Sequence, residues 1–340
     1  MSRPARRRVQ RLALAVLAVL LVAVGASRIA EALDGGDDRC RTRPAVEVVA
    51  VSALSTRDAS RARDVLYDET FSVRPGGSLD LDLGSESVTV RTVSGRRARV
   101  VVEGRGRDAE REFARRRFSA RVDGDRLVVR TEPQRRRGFS LVRSDARFEV
   151  TVEIPRRFDA ALDLGSGSVE VASLEGDLTV DVGSGSVSVA DVDGRRVRLG
   201  TGSGSVRARD LRGTVQIETG SGSVRVERVE GPLDVDTGSG SVEVGLVDGP
   251  VRVDTGSGGV EMTLASEAPV EVDTGSGSVT LVLPRRAGFD VDIDASSVRM
   301  DDALRFDGRT ERGEARGTIG GGGPTLSVDT GSGTVRLRAR

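Results

Sequence analysis

Leu233-Asp234-Val235-Asp236-Thr237-Gly238-Ser239-Gly240-Ser241-Val242-Glu243-Val244 carries the reading of this chain. Leu233, Val235 and Thr237 alternate with aspartates, a Gly-Ser-Gly-Ser corner follows, and Val242 and Val244 resume the alternation around Glu243. Period-two alternation on both sides of a glycine corner specifies two short strands, each buried on one face. The pattern recurs. Corners begin at Gly165, Gly183, Gly202, Gly220, Gly238, Gly256 and Gly275, mostly 18 or 19 residues apart, with a late return at Gly331. A second turn signal closes each unit at Asp193-Gly194, Gly231-Pro232 and Gly249-Pro250. A short fixed period means one supersecondary unit stacked on its own copies. No segment among the repeats has the length or period of a crossover helix, so successive copies must pair as parallel coils. The expected fold is all-β: a parallel β-solenoid with coils of about 18 residues.

The columns follow from the register. Val169, Val187, Val206, Val224, Val242, Val260 and Val279 are expected to line one interior ladder just after the corner. Thr201, Thr219, Thr237, Thr255 and Thr274 are expected to stack just before it, where Leu164 and Val182 stand in earlier coils. Glycine suits a corner that turns sharply while neighbouring backbones approach closely. Nine coils at about 4.8 Å per rung give a stack of roughly 43 Å. A three-sided hexapeptide helix also has about 18 residues per coil, but it wants an aliphatic every sixth residue. Here the apolar positions cluster as 178, 180, 182 and 187, 189, 192, which favours a flattened two-strand coil.

Outside the repeats the chain divides into residues 1–33, a signal peptide or membrane anchor; 34–66, a polar stalk; 67–157, a β-rich cap; and 158–340, the solenoid, with an insertion at about 301–323. Arg3, Arg6, Arg7, Arg8 and Arg11 precede an uncharged run from Leu12 to Ser27. A positive segment before an apolar one reads as an export signal, and apolar character continuing through Leu33 favours a retained anchor. The positive-inside bias then leaves the remainder outside the cytoplasm, on a single-pass membrane protein or a secreted one. Cys40, the sole cysteine, is idle or forms an intermolecular disulfide. Ser78 to Val90 is a degenerate first copy of the repeat, with Gly84-Ser85-Glu86-Ser87 at its corner. Strands are expected at Ala98–Glu103, Phe118–Val122, Leu127–Thr131 and Phe148–Ile154, a short helix within Asp108–Arg117, and a hairpin turn at Asp123-Gly124-Asp125. At the other end, the last strand is expected to expose an open edge, with Arg336, Arg338 and Arg340 discouraging addition of another chain.

Formal net charge is zero, every basic residue is arginine, histidine and tryptophan are absent, and aromatics make up 3%. Charge is uneven along the chain. The cap is basic, with clusters at Arg115–Arg117 and Arg135–Arg137, whereas residues 158–340 are acidic by about ten charges. Such asymmetry guides partners or orients a domain near an anionic surface. The Gly-Ser corners lack the following helix that a phosphate-cradling loop needs. Without histidine, a Ser or Cys nucleophile lacks its usual base. Polysaccharide-cleaving β-helices need varied loops and aromatic stacking platforms, while these corners are uniform and nearly free of aromatics. No catalytic residue and no cofactor is expected.

The acidic positions before the corner are the candidate site. Asp163, Asp181, Glu218, Asp236, Asp254 and Asp273 share one outward column, where neighbouring carboxylates repel by about 1 kcal/mol even in water. Arg198, Arg207, Arg225 and Arg252 on nearby columns are expected to relieve this, and Ca²⁺ is the alternative counter-charge. Calcium-binding nonapeptide rolls place Asp after the glycine turn, however, and here it precedes.

The irregular β cap, the strand from Val150 to Arg156 and the tandem Leu-x-Val-x-Thr-Gly-Ser-Gly-x-Val units resemble the bacterial "putative adhesin" β-strand-repeat domain family over about residues 67–340. The resemblance implies an exported or membrane-tethered solenoid, some members being linked to envelope stress, and supplies no ligand. The expected function is non-enzymatic binding or scaffolding at the cell envelope by a monomer, toward a protein, glycan or anionic lipid and not nucleic acid. The alternatives are an envelope-stress sensor acting through the basic cap and, further off, a calcium-binding repeat protein.

Overall fold

The computed structural model describes residues 63–132 and 145–340. The apolar run before Leu33, most of the stalk, Cys40 and the Arg135–Arg137 cluster lie outside the described residues. No helix among the described residues is long and apolar enough to cross a membrane.

Alternation produces strands throughout. The N-terminal part supplies β1 (Asp64–Ser72), β2 (Ser78–Leu83), β3 (Ser87–Val93), β4 (Arg97–Arg105), the helix α1 (Ala109–Arg115), β5 (Arg117–Asp123), β6 (Arg126–Glu132) and β7 (Arg147–Pro155). The repeats supply β8 (Asp159–Ser166), β9 (Val169–Glu175), β10 (Leu178–Ser184), β11 (Val187–Ser203), β12 (Val206–Ser221), β13 (Val224–Glu230), β14 (Leu233–Ser239), β15 (Val242–Asp248), β16 (Val251–Ser257), β17 (Val260–Leu264), β18 (Val270–Ser276) and β19 (Val279–Leu283). The last segment holds β20 (Phe289–Asp294), β21 (Ser297–Met300), β22 (Phe306–Glu311), β23 (Glu314–Ile319), β24 (Thr325–Thr330) and β25 (Thr334–Ala339).

Each coil contributes one strand before its glycine corner and one after it. The pre-corner strands form a first sheet in the order β5-β6-β2-β8-β10-β11-β12-β14-β16-β18-β24-β20-β23-β22. The post-corner strands form a second, β1-β4-β7-β3-β9-β11-β12-β13-β15-β17-β19-β25-β21. β11 and β12 run through the second turn and serve both sheets. Pairing is parallel through the stack and antiparallel only at its ends. The expected interior ladder is present, since Val169, Val187, Val206, Val224, Val242, Val260 and Val279 are in register and each at most 1% exposed. The coil is the flattened form. In three coils a left-handed residue, Ser173 (φ 59°), Asp191 (φ 53°) or Asp210 (φ 49°), resets the alternation so that residues 171 and 174, 189 and 192, 208 and 211 all face inward.

The corner explains the double glycine. Its second glycine, from Gly167 through Gly277, has φ between +121° and +154°, which side-chain-bearing residues avoid. A Cβ there would also fall on the carbonyl oxygen one rung below, and at the first glycine, Gly183, it would lie 2.6 Å from Gly165 O. Backbone bonds continue through the turn, with Gly185 N–H donating to Ser203 O at 2.8 Å and Val187 N–H to Ser205 O at 3.0 Å. At the bottom of this column Glu86 replaces the second glycine, with no corner among the described residues beneath it. Glu86 is 2% exposed, accepts the Ser85 N–H at 2.7 Å, and is ion-paired to Arg116, whose guanidinium lies 4.4 Å from the Phe148 ring centre. The cap is thereby clamped to the first coil.

Both ends depart from simple stacking in chain order. β2 and β3 lie between the rung of β6 and β7 and the rung of β8 and β9. At the other end β24 is paired on both sides, by β18 and β20, and β25 by β19 and β21. The expectation of an open edge on the last strand is therefore incorrect. The chain leaves β19, lays down β20 and β21 one rung further out, turns through a 3-10 segment (Asp302–Leu304) and the β22–β23 hairpin, and returns to fill the gap. The segment read as an insertion belongs to the outer cap, and its charge and glycine content disguise a structured hairpin.

Candidate functional site

Outward residues beside the corner form two long columns, one on each sheet. On the first sheet, Asp82, Asp163 and Asp181 stand in register, Gly200 interrupts, and Glu218, Asp236, Asp254, Asp273, Asp329, Asp294 and Glu314 follow without a break. All six acidic residues expected to share this column do so. Four further members, Asp82, Asp329, Asp294 and Glu314, extend it. The first three were readable, because Asp82 precedes Leu83-Gly84 as Asp163 precedes Leu164-Gly165, and Asp329 and Asp294 precede the later corners. Glu314 joins through an antiparallel pairing that no repeat encodes.

At one position the neighbouring charges add to the effect of burial. Burial, reinforced by the neighbouring charges of Asp82 and Asp181, pushes the Asp163 carboxyl above the ordinary aspartate range. The arginines expected to offset this do so in part. Arg198 reaches Glu218 at 2.8 Å, but Arg252 turns to Glu271 at 2.5 Å and Arg225 to Glu243 on the other sheet at 2.9 Å. The column is evenly spaced rather than gathered, and among the described residues no three metal-ligand side chains converge. It presents a line of negative charge, not a coordination shell.

The second sheet carries Thr89, Glu170, Ser188, Arg207, Arg225, Glu243, Glu261, Thr280, Arg336 and Arg299 in its matching column. Several charges outside the column pair one rung away, as in Arg209–Asp191 at 3.2 Å, Arg212–Glu230 at 2.8 Å and Arg195–Asp177 at 2.9 Å. The basic cap is likewise internally compensated. Arg115 pairs with Glu112, Arg116 with Glu86 and Arg117 with Glu132, so this cluster is largely spent on holding the cap together.

Between the sheets, Thr201, Thr219, Thr237, Thr255, Thr274 and Thr330 form a buried column. Thr201 Oγ1 donates to Gly185 O at 2.9 Å, and Thr219 and Thr330 make matching bonds at 3.3 Å, whereas the hydroxyls of Thr237, Thr255 and Thr274 have no partner among the described residues. These hydroxyls face the interior and are closed to external ligands.

Several solved structures are similar to this chain at low identity. One from Bacteroides fragilis, described as a "putative adhesin", is 13% identical with a TM-score of 0.38, covering 82% of this chain and 98% of that one. One from Clostridium sporogenes, a "putative cell adhesion protein", is 11% identical with a TM-score of 0.22, covering 82% and 100%. A "putative lipid binding protein" from Parabacteroides distasonis is 10% identical with a TM-score of 0.33, covering 80% and 96%. No curated protein matches. Residues 77–338, from the first coil to the last strand, match the model of one family, and the chain belongs to that family, Toastrack DUF4097.

Proposed function

We propose that this protein is a non-enzymatic solenoid that binds or scaffolds at the cell envelope, held to the membrane by its N-terminal apolar run and displaying its stack outside the cytoplasm. The observation that carries the reading is the pair of outward columns. Regular polar side chains on a rigid parallel ladder make an extended contact surface, and the stacking keeps their spacing constant over many rungs. Such a surface suits repetitive or extended partners better than a small molecule, which needs concavity. Bacterial cells expressing the tagged full-length chain test the reading. The expected result is recovery in the envelope fraction, a C-terminal tag cleaved by protease added to intact spheroplasts, and capture of an envelope component. Capture is expected to fall when Arg207, Glu243, Glu261, Asp236 and Asp254 are replaced by Ser or Asn. A protease-protected tag, or equal capture by the substituted chain, would overturn it.

A further inference from the structure

Most surface arginines in the stack find a carboxylate one rung away. The last rungs of the second sheet break this habit. Arg299 on β21 is in register with Arg336 on β25, and Arg338 follows two residues later, so all three project from one outer face. Strand geometry places such positions about 4.8 Å apart across the sheet and about 6.6 Å apart along it. Arg299 and Arg338 are exposed and Arg336 is half-buried. Among the described residues none of the three guanidinium groups has an ion pair or hydrogen bond. The carboxylate next to them is already engaged, since Asp301 accepts the N–H groups of Ala303 at 3.0 Å and Ala339 at 3.4 Å. The backbone beneath is locked, because β25 is paired on both sides. Like charges at this spacing repel, and among the described residues no carboxylate forms an ion pair with them.

We propose that Arg299, Arg336 and Arg338 form a binding site for a linear polyanion, a thread-like polymer bearing repeated phosphate or carboxylate groups. Guanidinium forks match both anions. The site is a flat patch on a sheet, so a single small anion would remain mostly hydrated, whereas a polymer engages several arginines at once and gains by effective concentration. A thread fits better than a charged plane. Glu261 and Glu243 lie two and three rungs from Arg336 on the same column, and an anionic membrane broad enough to cover the arginines would meet them. A polymer lying along β25 touches the arginines and misses both glutamates.

The proposal deepens the binding role above and fails separately from it, since envelope capture without polymer binding would overturn this site alone. The probe is fluorescently labelled linear sodium polyphosphate, titrated with the full-length chain in mild detergent and followed by anisotropy at several salt concentrations. The R299Q/R336Q/R338Q variant is expected to bind at least about tenfold more weakly, with a log–log salt slope shallower by about 2, as for three lost contacts to a single-stranded polyanion. The R91Q/R96Q/R97Q variant, altered at the opposite end, is expected to change affinity less than about twofold. Equal losses in the two variants, or none in the first, would overturn the site. So would flotation with phosphatidylglycerol vesicles that depends on the trio as strongly as polymer binding does, which would assign it to a membrane. Should the triple variant unfold, R338Q alone, at an exposed position, is expected to give about a third of the slope change.

Discussion

Gly240 has φ +142°, and a methyl group on it would fall on the carbonyl oxygen of Gly222 one rung below. Gly240→Ala combines backbone strain with a clash that no rotamer relieves, and it is expected to cost at least about 3 kcal/mol. Ser241→Ala, one residue on at an exposed position, is expected to stay within about 0.5 kcal/mol. Urea unfolding midpoints of the two variants check this contrast, and similar midpoints would refute the corner's role. Thr255 makes the opposite case. Its hydroxyl is buried without a partner, while Val182 occupies the equivalent position in an earlier coil, fully buried. Thr255→Val is expected to stabilise by about 1 kcal/mol, the cost of an unsatisfied buried hydroxyl. Thr201→Val, which loses a bond to Gly185 O, is expected to give no such gain. A third residue reports on charge. The Asp163 carboxyl is raised in the folded state, so the folded chain holds its proton more tightly than the unfolded one and this group opposes folding at neutral pH. The penalty is complete above the folded value and disappears as pH falls through it toward the unfolded value of about 3.9. Asp163→Asn is therefore expected to raise the Tm at pH 7 and to lose that advantage as pH approaches about 4. A gain that grows on acidification would contradict the assignment.

At the scale of elements, the alternation and the corner together made most of the stack legible. Strand type, pairing sense, the valine and threonine columns and the six central acidic residues all follow from counting residues either side of Gly-Ser-Gly-Ser. What could not be read was the order of rungs at the two ends. Register is set by which residues face inward, and β20 and β24 both present the same apolar alternation, Phe289-Val291-Ile293 and Leu326-Val328-Thr330. Either would stack on β18, so the pattern alone cannot say which does. The candidate site suffered in step, because the column grew by Asp329 and Asp294 in an order opposite to the chain. The Arg299–Arg336 pairing was hidden for the same reason. The internal position of β24 and β25 predicts that their amides resist hydrogen exchange as well as those of β16 do. Fast exchange confined to β24 and β25 would show the terminal pair fraying and refute the placement.

For the whole stack, each rung touches only its neighbours, so stability is close to a sum of rung and interface contributions. Deleting residues 233–250 joins Pro232 to Val251, recreating the Gly-Pro-Val junction that already exists at Gly249-Pro250-Val251. That shortened chain is expected to fold with an unchanged strand spectrum and a modestly lower Tm, by circular dichroism. Deleting residues 324–340, a segment of nearly equal length, is expected to abolish cooperative unfolding, because it removes a middle rung and leaves the β20–β21 cap with nothing to stand on. If the two deletions behaved alike, the in-between position of the terminal pair would be wrong. The return of the last residues into the stack also bears on biosynthesis. A polypeptide emerging amino end first lays down β20 and β21 before the rung that joins them to the stack, so it must wait with a vacant shelf until β24 and β25 have followed. Products terminated before β24 can never close, and they would present raw strand edges to the cell's proteases that the filled stack does not.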